Sequence, residues 1–223
     1  MANYRLFFAP VFLVCNALLF SNCALEKYSK KIPENQNLIS ITKTTNMDTA
    51  TFGAGCFWCI EAQFSLLNGI LTVKSGFEGG QIKNPSYKEV CSGTTGHAEV
   101  VEIIYDPSKI SYDELLAAFW LTHDPTQLNR QGNDIGTQYR SVIFYHNHKQ
   151  KELAEKYKKE LNTSNAWELP VITEISPATT FYKAEDCHQN YYNENGKQPY
   201  CQFIIQPKVE KFKKVFAAKM KAH

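Results

Sequence analysis

Seven cysteines, at positions 15, 23, 56, 59, 91, 187 and 201, are the residues of this 223-residue chain best suited to do chemistry. Cys15 lies in an apolar amino-terminal run and Cys23 just after it. That leaves five, and an odd number fits poorly with a framework of structural disulfides. Cys56 has the best position: it follows a β-like run and a glycine-rich turn, and it starts a helical pattern. Unpaired backbone N–H groups and the helix dipole favour an anion there, so its pKa is expected to fall. Gly53 and Gly55 let a substrate approach the sulfur closely. Cys59, three residues on, shares the helical face and is placed for a tight disulfide with Cys56. A zinc site needs two more ligands, and no second such pair exists. His97, Cys187 and His188 would have to converge instead, so no metal is expected. A general thiol–disulfide oxidoreductase using Cys56 and Cys59 stays open as an alternative.

Glu99 is the second candidate. It sits in an alternating apolar strand with Val101 and Ile103 on its own face. An inward carboxylate at that phase is costly unless it is used; otherwise Glu99 is the solvent-facing member of the strand.

The elements that must position these groups read as one α+β unit. Residues 49–54 form a short strand stopped by Gly53 and Gly55. Phe57, Ile60, Phe64 and Leu67 recur at helical spacing from near Cys56 to Asn68-Gly69. Strands follow over 70–77 and 97–105, the second stopped by Asp106-Pro107. Ser111 and Glu114 form a capping box that opens a helix to about Leu121. A strand over 141–145, a charged helix over 149–161 and a strand over 171–175 complete the pattern. It lacks the regular alternation of a doubly wound sheet, which predicts a small mixed or antiparallel sheet with helices packed on it and long loops. Residues 48–207 form the domain, followed by a lysine-rich helix over 208–223.

Composition is that of an ordinary globular protein, with 43% hydrophobic and 21% charged residues, which excludes collagen, coiled coil and a wholly disordered chain. Net charge is +2, from 24 Lys plus Arg against 22 Asp plus Glu. So balanced a chain gives no argument for nucleic acid, where a basic patch should dominate. The amino terminus is different material. After Arg5 the apolar run of residues 6–20 is too short for the roughly 30 Å hydrocarbon core, and a polar change follows at Ser21. This predicts a lipoprotein-type signal peptide over 1–22, with Cys23 the residue to be lipidated. Residues 23–47 carry few large apolar side chains and read as a flexible tether. The expected location is outside the cytoplasm, in the periplasm or cell envelope.

Several blocks then carry a specific resemblance. Gly55-Cys56-Phe57-Trp58, residues 84–93 (NPSYKEVCSG), Gly96-His97-Ala98-Glu99, residues 119–125 (FWLTHDP), residues 132–141 (GNDIGTQYRS) and residues 184–189 (AEDCHQ) follow one another in family order. Over about Asp48 to Gln206 the chain resembles the A-type peptide-methionine sulfoxide reductases. The resemblance implies a ferredoxin-like core and reduction of the S epimer of methionine sulfoxide, protein-bound or free, without metal or tightly bound cofactor. By motif, Cys56 is the nucleophile, Glu99 the proton donor, Tyr87 and Tyr139 hold the sulfoxide oxygen, and Asp134 shapes the pocket. Phe57 and Trp58 form the apolar wall against the S-methyl group. On their own, the tyrosines and the Phe-Trp pair could equally be core residues, and His188 a structural hydrogen-bond donor.

Attack leaves Cys56 as a sulfenic acid, which a second thiol condenses into a disulfide. Many family members carry Gly where this chain has Cys59, and use cysteines in a glycine-rich tail. Here Cys59 and Cys201 are both candidate resolving thiols: Cys59 first by proximity, and Cys201, on a segment expected to be mobile, relaying the disulfide outward. Cys91 and Cys187 are expected to be buried small hydrophobes. A thioredoxin-like reductant would regenerate a monomeric enzyme. The third reading, a non-enzymatic lipoprotein binding module, would have been favoured by loss of Cys56 or Glu99, and both are present.

Overall fold

The computed structural model describes residues 47–164 and 166–222. The signal peptide expected over 1–22, Cys23 and the tether up to residue 46 lie outside them.

The chain runs β1 (Asp48–Ala54), α1 (Phe57–Phe64), β2 (Ile70–Glu78), α2 (Tyr87–Cys91), β3 (Ala98–Tyr105), α3 (Tyr112–Thr122), then the two-residue strands β4 (Arg130–Gln131) and β5 (Asp134–Ile135). It continues through β6 (Ser141–Tyr145), α4 (His148–Thr163), β7 (Glu174–Pro177), β8 (Tyr182–Lys183), α5 (Tyr191–Glu194) and α6 (Gln206–Val215). The main sheet has the order β7-β6-β1-β3-β2-β8. Its inner four strands are antiparallel and are connected as β1-α1-β2-β3-α3-β6, the ferredoxin-like arrangement. β7 adds in parallel at one edge and β8 antiparallel at the other. The fold is α+β.

β3 shows why the sheet is central. Val101 and Ile103 belong to the main core under the helices, whereas Ala98 and Val100 pack with Val142 and Phe144 in a smaller cluster. A strand covered on both faces must be apolar almost throughout. Glu99 has the phase of Val101 and Ile103 and is itself buried. Across the main core Phe52 stacks on Phe119 at 5.0 Å and lies 5.7 Å from Phe64, joining β1 to α3 and α1.

The capping box of α3 is present as expected, with the Ser111 hydroxyl accepting from Glu114 N–H and Glu114 accepting from Ser111 N–H. Three boundaries differ from expectation. α1 stops at Phe64, because the following backbone makes short turns and then joins the chain's end: Asn68 N–H donates to the Lys219 carbonyl, and Leu67 bridges Met220. The strand expected over 171–175 is instead Glu174–Pro177, since only those residues pair with β6. Upstream, Val171 N–H is taken by the Asn162 side chain and Ile172 N–H by the Pro125 carbonyl. The carboxy-terminal helix expected over 208–223 spans Gln206–Val215, and its Val209 and Phe212 are buried in the main core.

Candidate functional site

The site begins where β1 runs into α1. Gly55 makes the turn at φ +87°, and a Cβ on it would lie 2.6 Å from the Cβ of Gln131. Both the backbone conformation and the space therefore require glycine. Cys56 follows as N-cap of α1. The Cys59 N–H donates back to the Cys56 carbonyl at 3.1 Å, and the two side chains are hydrogen-bonded to one another. Both thiols are buried.

Glu99 reaches the same turn from β3. Its Oε2 accepts from Phe57 N–H at 3.1 Å, and its Oε1 is buried without a hydrogen-bond partner. Burial above all, with the Asp134 and Cys59 charges adding to it, pushes the carboxyl up to about 8 against the bond from Phe57. At neutral pH Glu99 is an acid with a proton to give.

This arrangement corrects the expectation for Cys56. The positive end of α1 is aimed at Glu99, not at the thiol. Burial, the bond to Cys59 and the neighbouring Glu99 carboxyl raise the Cys56 thiol instead of lowering it. Cys59 moves the other way: the bond from Cys56 lowers it despite burial, and the Lys208 ammonium adds to the effect. Lys208 Nζ, from α6, lies 3.8 Å from Cys59 Sγ. Within the pair, ionisation is thus favoured at Cys59 over Cys56.

Three phenols surround the pair. Tyr87 opens α2, Tyr139 ends the 3₁₀ turn at 137–139, and Tyr200 precedes the π-helical turn Cys201–Ile205. Burial raises all three pKa values, and so does the charge of Glu99 at Tyr87 and Tyr139 and that of Cys56 and Cys59 at Tyr200. They remain hydroxyl donors at any working pH. Asp134 is held by the Tyr200 hydroxyl, which donates to its Oδ2 at 2.8 Å. Tyr200 also makes hydrogen-bond contact with both cysteine side chains.

Phe57 is fully buried between Phe77, Tyr87 and His188, so it is a core residue as well as a neighbour of the site. Trp58 is half-buried and lies flat on Tyr191, with ring centroids 3.8 Å apart and 9° between the planes. His188 stacks on Trp58 and sits 4.2 Å from Tyr87. The structure therefore brings together Cys56, Cys59, Glu99, Tyr87, Tyr139, Asp134, Phe57 and Trp58. It adds Tyr200, Tyr191 and Lys208, which sequence reasoning missed. The signal for Tyr200 was its place beside Cys201; Lys208 had none.

Two cysteine expectations change. Cys91, at the end of the five-residue α2, and Cys187, in the 3₁₀ turn at 186–188, are exposed instead of buried, because both elements lie on the surface. Cys201 is fully buried in a helical turn that runs straight into α6, not carried on a swinging segment. Among the described residues no group of three or more His, Cys, Asp or Glu side chains could hold a metal ion.

Two vicinal cysteines that can pass between dithiol and disulfide, beside an acid kept neutral, place the molecule among the thiol-dependent oxidoreductases. Residues 48–220 match the family model described as peptide methionine sulfoxide reductase, and the chain belongs to that family. It is 54% identical over 169 residues to the peptide methionine sulfoxide reductase MsrA of Nautilia profundicola, covering 76% of this chain and 96% of that protein. With the MsrA of Saccharolobus solfataricus it shares 50% identity over 177 residues, 79% of this chain and 99% of that one. Among solved structures, reduced Mxr1 from Saccharomyces cerevisiae superposes with a TM-score of 0.65 at 37% identity, covering 70% of this chain and 89% of that chain. The methionine sulfoxide reductase A of Corynebacterium diphtheriae gives 0.60 at 39% identity, covering 67% and 76%.

Proposed function

We propose that the protein repairs oxidised proteins by reducing the S epimer of methionine sulfoxide, protein-bound or free, through Cys56. The observation that carries this reading is the buried Glu99 carboxyl, protonated up to about 8, with Oε1 unpartnered beside the cysteine that starts α1. A sulfoxide sulfur becomes electrophilic once its oxygen takes a proton. Glu99 gives that proton, while the Tyr87 and Tyr139 hydroxyls hold the oxygen and Trp58 with Phe57 bounds the S-methyl group. As Cys56 attacks, its own proton passes to Cys59, the anionic partner already bonded to it. The oxygen ends on Cys56 as a sulfenic acid and methionine leaves. Cys59 returns that proton to the Glu99 carboxylate and, as a thiolate again, attacks Cys56; the S–O bond breaks, and the oxygen departs as water on taking a proton from solvent, leaving a disulfide. Each sulfoxide is thus reduced by two electrons drawn from two thiols. Cys201 takes the disulfide onward, and a thioredoxin-like dithiol restores the enzyme, which acts as a monomer outside the cytoplasm.

The test is stereochemical. With dithiothreitol as reductant, the S epimer is reduced and the R epimer is not, and Cys56→Ser removes the activity. Reduction of the R epimer alone, or an unimpaired Cys56→Ser enzyme, overturns the reading.

A further inference from the structure

Cys59 is almost fully buried, and a thiolate there has little water to stabilise it. Its charge must be held by protein groups. Those facing it are Cys56, whose thiol bonds to it from the same turn; Tyr200, from the segment before the π-helical turn; and Lys208, from α6. Asp134 lies within charge range and opposes ionisation, while Glu99 and Cys201 both sense the Cys59 charge. Tyr200 has a single hydroxyl proton, and at 2.8 Å it is directed to Asp134. Once Cys56 has become a sulfenic acid its S–H is gone. Lys208 is then the one charged donor that touches Cys59 among the described residues.

The backbone fixes that ammonium. The Lys208 carbonyl accepts from Gln63 Nε2 at 3.3 Å, tying α6 to α1, and the next residue, Val209, is buried in the main core. Cys201 is buried without such a partner, and both burial and the Cys59 charge raise its thiol.

We propose that Lys208 is a positioning residue for the recycling half of the reaction: its ammonium holds Cys59 as the thiolate that attacks oxidised Cys56, and so makes Cys59, not Cys201, the first resolver. The inference rests on the reading of Cys56 as the sulfoxide-reducing nucleophile. The resolving step is Cys59–S⁻ attacking Cys56–SOH, with S–S formation, S–O cleavage and release of the hydroxyl as water on taking one proton from solvent.

The experiment follows disulfide formation by quenched-flow mass analysis after a single turnover, across pH, in wild type, Lys208→Met, Lys208→Gln and Lys208→Arg, with the exposed Lys214→Met as control. Losing the ammonium is expected to slow disulfide formation about tenfold below the inflection and to move the inflection upward, because a one-unit rise in thiol pKa cuts the thiolate about tenfold. Lys208→Arg restores most of the rate and Lys214→Met changes nothing. Unchanged rate and profile in both neutral variants, or an equal loss in Lys208→Arg, overturns the proposal. A second readout stands apart from sulfoxide chemistry: the thiolate absorbance of reduced Cys56→Ser/Cys201→Ser protein titrates at higher pH when Lys208→Met is added. If wild type forms no methionine, the proposed function fails, and the thiolate titration still decides the role of Lys208.

Discussion

Glu99 carries the strongest residue-scale consequence, because a buried acid that keeps its proton to about 8 links catalysis and stability to the same titration. The folded carboxyl retains its proton while the unfolded one, near its ordinary 4.5, loses it. Between those values the folded state binds more protons, so stability falls as pH rises from about 4.5 to about 8. The difference is about 5 kcal/mol. Glu99→Gln is expected to remove that slope, so its denaturant midpoint gains on wild type between pH 5 and pH 8. Wild-type methionine formation is expected to fall as pH passes 8, and Glu99→Gln to lose about a hundredfold or more in that step, the usual contribution of a positioned general acid. Equal slopes for the two proteins would contradict the assignment of the proton. Cys56 and Cys59 stood out by residue type and spacing, whereas the role of Glu99 as proton donor came with the family resemblance. Which of the two thiols ionises more readily was not legible: it depends on which group occupies the end of α1 and on a lysine 149 residues from Cys59 along the chain.

At the scale of elements, local signals that complete themselves within a few residues were read correctly, and those needing a partner from elsewhere were not. The α3 capping box is closed by Ser111 and Glu114 alone. The same Ser-x-x-Glu box caps α2 through Ser86 and Glu89, yet a five-residue helix has too little periodicity to announce itself. β7 and the end of α1 were misplaced because their backbone hydrogen bonds are decided by β6, Asn162 and the carboxy-terminal residues. The turn before α1 yields a prediction of its own. Gly55→Ala puts a Cβ against Gln131 at positive φ, with an expected cost of about 1–3 kcal/mol. Thermal unfolding and single-turnover rate are both expected to suffer, since the same turn sets Cys56. A variant of wild-type stability would show that the turn tolerates a side chain.

For the molecule as a whole, the α+β class followed from the order of elements, but the ferredoxin-like connection came with the family resemblance, because periodicity does not say which strands pair. The apolar side of the lysine-rich end, with Val209 and Phe212 among lysines, did point to a helix packed on the domain. Val209 and Phe212 of α6 are almost fully buried, and burying such side chains contributes about 1.5–3 kcal/mol each. Phe212→Ala is therefore expected to cost about 3 kcal/mol or more, allowing for the cavity, and to loosen Lys208 with it. A loss below 1 kcal/mol in chemical denaturation would contradict this packing. For Cys23, which lies outside the described residues, the proposed lipid attachment predicts that a palmitate label enters the cell-expressed protein and is lost in Cys23→Ala. Label that persists in the variant, or never enters, would remove the anchor from the account.

The central claim is that Cys56 takes the oxygen from the sulfoxide. The most direct measurement mixes reduced Cys59→Ser/Cys201→Ser protein with an S-sulfoxide substrate, without external reductant, and measures methionine alongside peptide mass. One methionine per enzyme and a single added oxygen, trapped as sulfenic acid on Cys56, are expected. Methionine without oxidation of Cys56, or the oxygen found on another cysteine, would contradict it.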